Sequence, residues 1–121
     1  MRAMVEVTND DTDILNVPLE GWMQKRHRSG TDFWGHEWGK RWVWVNDEKG
    51  RMHVCKTKSR DASKGDIVFS MSDVSEIAPL QPTDKETAGL LHCFSVSQPP
   101  MHVVLHCADE QERRRWMEGL K

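Results

Sequence analysis

The feature that most constrains this chain is the position of its only strong helix signature, which comes last. Asp109 is a good N-cap, and Glu112 sits three residues later, as a capping box requires, with Asp replacing the usual Ser or Thr. Trp116, Met117 and Leu120 then fall at i, i+1 and i+4, which makes one apolar stripe. Before it, from Leu19 onward, the chain reads as short strands divided by turn residues. The expected strands are Leu19 to Arg28, Trp38 to Val45, Met52 to Lys56, Asp66 to Met71, Val74 to Ala78, Leu91 to Val96 and His102 to Cys107. Ser29-Gly30-Thr31-Asp32, Asn46 to Gly50, Thr57 to Gly65, Gln81 to Gly89 and Gln98-Pro99-Pro100 divide them. Seven short strands and one terminal helix imply a mostly β fold: a bent antiparallel sheet or partial barrel, with the helix plugging one open end.

A length of 121 residues fits one domain, and it is enough to bury a core without staples. No apolar run approaches the roughly 18 residues of a membrane span. Residues Met1 to Pro18 carry Glu6, Asp10, Asp11 and Asp13, so they read as an acidic arm rather than a signal peptide. The domain proper is expected over Leu19 to Lys121. Cys55, Cys93 and Cys107 are odd in number and lack paired spacing, which suggests buried thiols in a reducing compartment.

The net charge of -2 conceals an uneven distribution. The arm has one base against four acids, Leu19 to Asp66 has eleven bases against seven acids, and Ile67 to Lys121 has five bases against eight acids. A positive middle between negative flanks can orient toward an anionic partner.

The order of motifs resembles the pleckstrin-homology (PH) superfold. Glu20-Gly21-Trp22-Met23-Gln24-Lys25-Arg26 is similar to that family's first strand, and Trp38-Gly39-Lys40-Arg41-Trp42-Val43 to its second. Met52-His53-Val54-Cys55-Lys56 resembles the third, and Asp109 to Trp116 resembles the terminal helix with its hallmark Trp. The resemblance covers about Leu19 to Lys121. It implies a small intracellular adaptor module, not an enzyme, that binds the anionic surface of a membrane. The expected localisation is cytoplasmic and peripheral.

Strand alternation gives an independent reason for a site. Side chains alternate across a strand with period two, so Met23 shares a face with Lys25, and Arg41 with Val43 and Val45. If Met23, Val43 and Val45 line the core, Lys25 and Arg41 emerge from the same face at its open end and meet across the hairpin. Two cations there make a pocket for phosphate, Arg offering a planar fork and Lys a point charge. The resemblance implies that Lys56, Lys58, Arg60 and Lys64 flank the same mouth, with Arg26, His27, Arg28 and Lys40 near it. It also implies that Phe33 and Trp34, in the long first loop, insert at the bilayer interface or fold back onto the barrel. The family's best phosphoinositide binders have a third cation between the two outer ones, where this chain has Gly39. That favours a simpler phosphoinositide, phosphatidic acid or phosphatidylserine over a highly phosphorylated inositol. The alternative is a protein-interaction scaffold of the same superfold, using the outer tryptophans or a sheet edge.

Other chemistry is expected to be absent. His102 and His106 sit about 13 Å apart along a strand, and no C-x-x-C occurs, so no metal is expected. No catalytic motif is present. A pI near 6.3 is low for nucleic-acid binding. No cofactor is implied, and the isolated domain is expected to be monomeric.

Overall fold

The computed structural model describes residues 19–27, 38–58 and 67–120. Seven strands are present: β1 (Glu20–Arg26), β2 (Trp38–Asn46), β3 (Arg51–Cys55), β4 (Ile67–Ser70), β5 (Glu76–Leu80), β6 (Cys93–Gln98) and β7 (Met101–His106). One helix, α1 (Glu110–Gly119), follows. The strands form one antiparallel sheet in the order β4-β3-β2-β1-β7-β6-β5, bent and unclosed, with β4 and β5 at its edges. The expected fold class is what the structure shows. The acidic arm, together with Arg28, Phe33, Trp34, Arg60 and Lys64, lies outside the described residues.

Most strand boundaries shift by one or two residues from the sequence reading, and three of the shifts have a local reason. β5 begins at Glu76 rather than Val74, because a 3-10 turn over Met71–Asp73 intervenes and Val74 caps it. It runs on through Pro79 to Leu80, and an edge strand tolerates a proline because its outer edge needs no donor. β6 begins at Cys93 rather than Leu91, because His92 has the left-handed φ of 62° and Leu91 is exposed.

The β2–β3 turn follows its residues. Asn46 Oδ1 accepts from the Lys49 N–H at 3.2 Å, and Gly50 takes a φ of 62° that only glycine adopts cheaply.

Alternation across β1 and β2 sorts two apolar sets onto opposite faces. Met23, Val43, Met52 and Val54 join Phe94 and Trp116 in the main core. Trp42, Trp44 and Cys55 form a separate cluster on the outer face. There Trp22 meets Trp42 edge-on at 5.3 Å, and Trp44 stacks on His53 at 4.2 Å. Trp38 packs against Leu80, Cys93 and Val104.

Helix α1 closes one end of the sheet. Asp109 Oδ1 accepts from the Glu112 N–H at 2.8 Å, the expected N-cap. Glu112 turns its Oε1 to the Arg115 guanidinium at 2.8 Å and to the Trp116 indole N–H at 3.2 Å. The indole is thereby satisfied while the ring is fully buried. Arg113 donates to the Leu80 and Cys93 carbonyls, both at 3.1 Å, and pairs with Glu110 at 2.8 Å. The helix is therefore tied to β5 and β6 by hydrogen bonds as well as by packing.

Candidate functional site

The end of the sheet opposite α1 is where the expected site residues converge. β1 ends there, β2 and β4 begin there, β3 ends there, and the Pro99–Pro100 turn joins β6 to β7. Met23 and Val43 are core residues of the inner face, so alternation carries Lys25 and Arg41 to that face at its rim. Their register differs from the expectation in one respect. Lys25 pairs with Gly39, and Arg41 pairs with Met23, so the two cations are diagonal neighbours rather than directly opposite. Diagonal positions lie about 7–8 Å apart at the backbone, within reach for side chains this long.

Gly39 has a structural meaning that its place in the sequence concealed. A Cβ there would come within 2.7 Å of Arg41 Nη1 and 2.9 Å of His27 Cε1. The space that a side chain at position 39 would take is occupied by a folded-in guanidinium and an imidazole. Arg41 is held in this posture by a hydrogen bond from Nη1 to the Lys40 carbonyl at 2.9 Å. His27 is two residues past Lys25, so its parity was available in the sequence, although it was not assigned to the pocket.

Beside Lys25 lies a cavity of about 610 Å³. Lys25, Arg26 and His27 bring it the end of β1, and Ile67 brings the start of β4. The β6–β7 hairpin supplies Pro100 to Val104. Lys85 and Glu86 complete the lining, and they come from the long β5–β6 loop, which begins at the helix end of the sheet. This loop reaches the mouth because Arg26 Nη1 donates to the Glu86 carbonyl at 2.6 Å and to the Lys85 carbonyl at 3.3 Å. The Glu86 carboxylate lies 2.6 Å from His102 Nε2, while His102 Nδ1 lies 2.7 Å from Ser97 Oγ. Arg26 also sits over the Trp38 ring, 5.9 Å from its centroid. Lys85 and Glu86 were missed in the sequence because the loop's return path carries no local signal, and Ile67 and His102 join them only through the pairing of distant strands.

The remaining expected cations divide between the two faces. Lys56 is exposed and directly follows Cys55, which pairs with Trp42, the neighbour of Arg41. It extends the mouth on the β3 side. Lys40 and Lys58 are placed elsewhere. Lys40 Nζ lies 4.6 Å from the Trp22 ring centroid and Lys58 Nζ 4.8 Å from that of Trp42, both on the outer face. Alternation puts Lys40 opposite in sense to Arg41, and the exposed indole offers its ammonium a partner.

Two cysteines are buried towards the helix end. Burial pushes the Cys93 thiol up to about 11, against the pull of Arg113 and Arg26. Burial also pushes Cys107 up to about 12, with the Glu112 carboxylate adding to it. Neutral thiols of this kind are weak nucleophiles and poor metal ligands. Among the described residues no group of three or more His, Cys, Asp or Glu side chains is placed to hold a metal ion.

Comparison with known proteins agrees with this architecture. The chain is 29% identical over 109 residues to Src kinase-associated phosphoprotein 2 of Danio rerio, a match covering 89% of this chain and 30% of that protein. It thus spans under a third of that relative's length. The fold is shared with the PH domain of human TBC1 domain family member 2, at a TM-score of 0.64 and 17% identity over 86% of this chain and 77% of that one. It is shared too with the C-terminal PH domain of pleckstrin in complex with D-myo-Ins(1,2,3,5,6)P5, at a TM-score of 0.58 and 16% identity over 84% and 88% of the two chains. The PH domain family profile matches residues 17–121, and this chain belongs to that family.

Proposed function

We propose that this domain recruits its parent protein to membranes by binding anionic phospholipid headgroups at the open end of the barrel. The single observation that carries this reading is the convergence of Lys25, Arg26 and Lys85 on a 610 Å³ cavity at the end of the sheet that the helix does not plug. Lys25 and Arg41 would hold the phosphate. Lys56, with Arg28, Arg60 and Lys64, would add to the field around it. Phe33 or Trp34 would anchor in the bilayer interface. The role is one of binding, not catalysis, and it places the domain on the cytosolic face of a membrane. The absence of a side chain at Gly39 favours a singly phosphorylated phosphoinositide or a simpler anionic lipid such as phosphatidic acid. That pleckstrin's domain was solved with an inositol phosphate supports the choice of ligand class.

Liposome sedimentation tests it. Binding should require anionic lipid and weaken with salt. Each cation near an anionic leaflet contributes about 1 kcal/mol, so Lys25→Glu with Arg41→Glu should weaken binding at least about thirtyfold. Unchanged sedimentation of that double variant would refute the pocket.

One observation favours a second reading, a protein-interaction scaffold. Trp22 is 44% exposed on the outer face, with Lys40 lying over its ring. An exposed aromatic beside a cation is typical of a protein-binding hot spot. Failure to bind any anionic liposome at low salt would decide for this reading.

A further inference from the structure

The cavity beside Lys25 is not a polar cup. Its lining includes the cations Lys25, Arg26 and Lys85, but also Ile67, Met101 and Val103, which belong to the main core or pack against it. Trp116 fills the core's other end. Among the described residues the one carboxylate in the lining, Glu86, is engaged by His102 at 2.6 Å. A bare sugar phosphate has nothing to offer such walls, and its hydroxyls would lose water there without gaining partners. A phosphate carrying methylenes satisfies both parts, and the cavity volume lies within the usual range of small-molecule sites.

Resting on the anionic-lipid reading above, we propose that the cavity takes the glycerol and first acyl methylenes of an anionic phospholipid along with its phosphate. The ligand is then the lipid molecule itself, and its soluble headgroup is an incomplete substitute. Lys25, with Arg41 diagonal to it, holds the phosphate, while Ile67, Met101 and Val103 receive the hydrocarbon. Each buried methylene should tighten binding about fourfold.

Calorimetry on the full chain tests this with three probes: dioctanoyl phosphatidic acid below its micelle concentration, glycerol 3-phosphate, and dioctanoylglycerol. The expected result is at least tenfold tighter binding of dioctanoyl phosphatidic acid than of either other probe. Met101→Gln, with folding checked by thermal melt, should narrow the gap between the phosphatidic acid and glycerol 3-phosphate. Equal affinity for those two probes would overturn the inference and leave the membrane reading standing. Equal affinity for dioctanoylglycerol and phosphatidic acid would overturn it by removing the role of the cations. If neither the phosphatidic acid nor anionic vesicles bind, the membrane reading falls and takes this inference with it.

Discussion

The two ends of the sheet solve the same problem in opposite ways. At one end α1 drives Trp116 into the core, caps itself with Asp109, and satisfies the buried indole with Glu112. At the other end Ile67, Met101 and Val103 reach a cavity that Lys25, Arg26 and Lys85 also line. The first end is finished by the chain's own atoms. Among the described residues the second holds a cavity in place of a plug, and the difference separates an end built for stability from one with room for a ligand.

Substitutions should break the two ends apart. Trp116→Ala removes the plug and should cost about 3–5 kcal/mol, read as a lowered denaturant midpoint. A plugged end that tolerated this change would have no claim to be the stabilising one. A smaller effect should come from pH. Unfolded thiols ionise near 9.0, whereas the folded Cys93 and Cys107 keep their protons to about 11 and about 12. Between those limits the unfolded state releases protons first, so stability should fall as pH rises above 9. Thermal melts from pH 8 to 11 would show the decline, and Cys107→Ala should make it shallower. Asp109→Ala, which removes the cap, should cost about 1 kcal/mol. The smallest effect belongs to the mouth. Arg41→Met should change stability by less than about 0.5 kcal/mol while lowering vesicle binding, since its guanidinium bonds to the neighbouring Lys40 carbonyl and not to a distant part of the fold. A large loss of stability there would erase the contrast between the ends.

Much of this contrast was legible in the chain. Period-two alternation placed Met23 and Val43 inside, with Lys25 and Arg41 on their face, and the structure agrees. The Asp109–Glu112 pair and Trp116 announced the helix and its plug. The Arg113 and Arg115 ion pairs with Glu110 and Glu112 follow the i, i+3 spacing of a helix. What the sequence concealed was longer-range. Nothing local says that the β5–β6 loop runs back to the mouth, because that path depends on Arg26 meeting carbonyls 59 and 60 residues away. Nor does a glycine reveal that its missing side chain leaves room for Arg41 and His27. Lys40 and Lys58 counted as basic residues near the mouth until the rings of Trp22 and Trp42 drew them outward.

The close approach of Leu19 to Gly119, where an added Cβ would lie 2.7 Å from Leu19 Cδ2, has a consequence for any polypeptide that carries this domain. Leu19, just before β1, and Gly119, at the end of α1, thus lie side by side on the pole remote from the cavity. Such a cassette can be spliced into a host without prising its flanks apart.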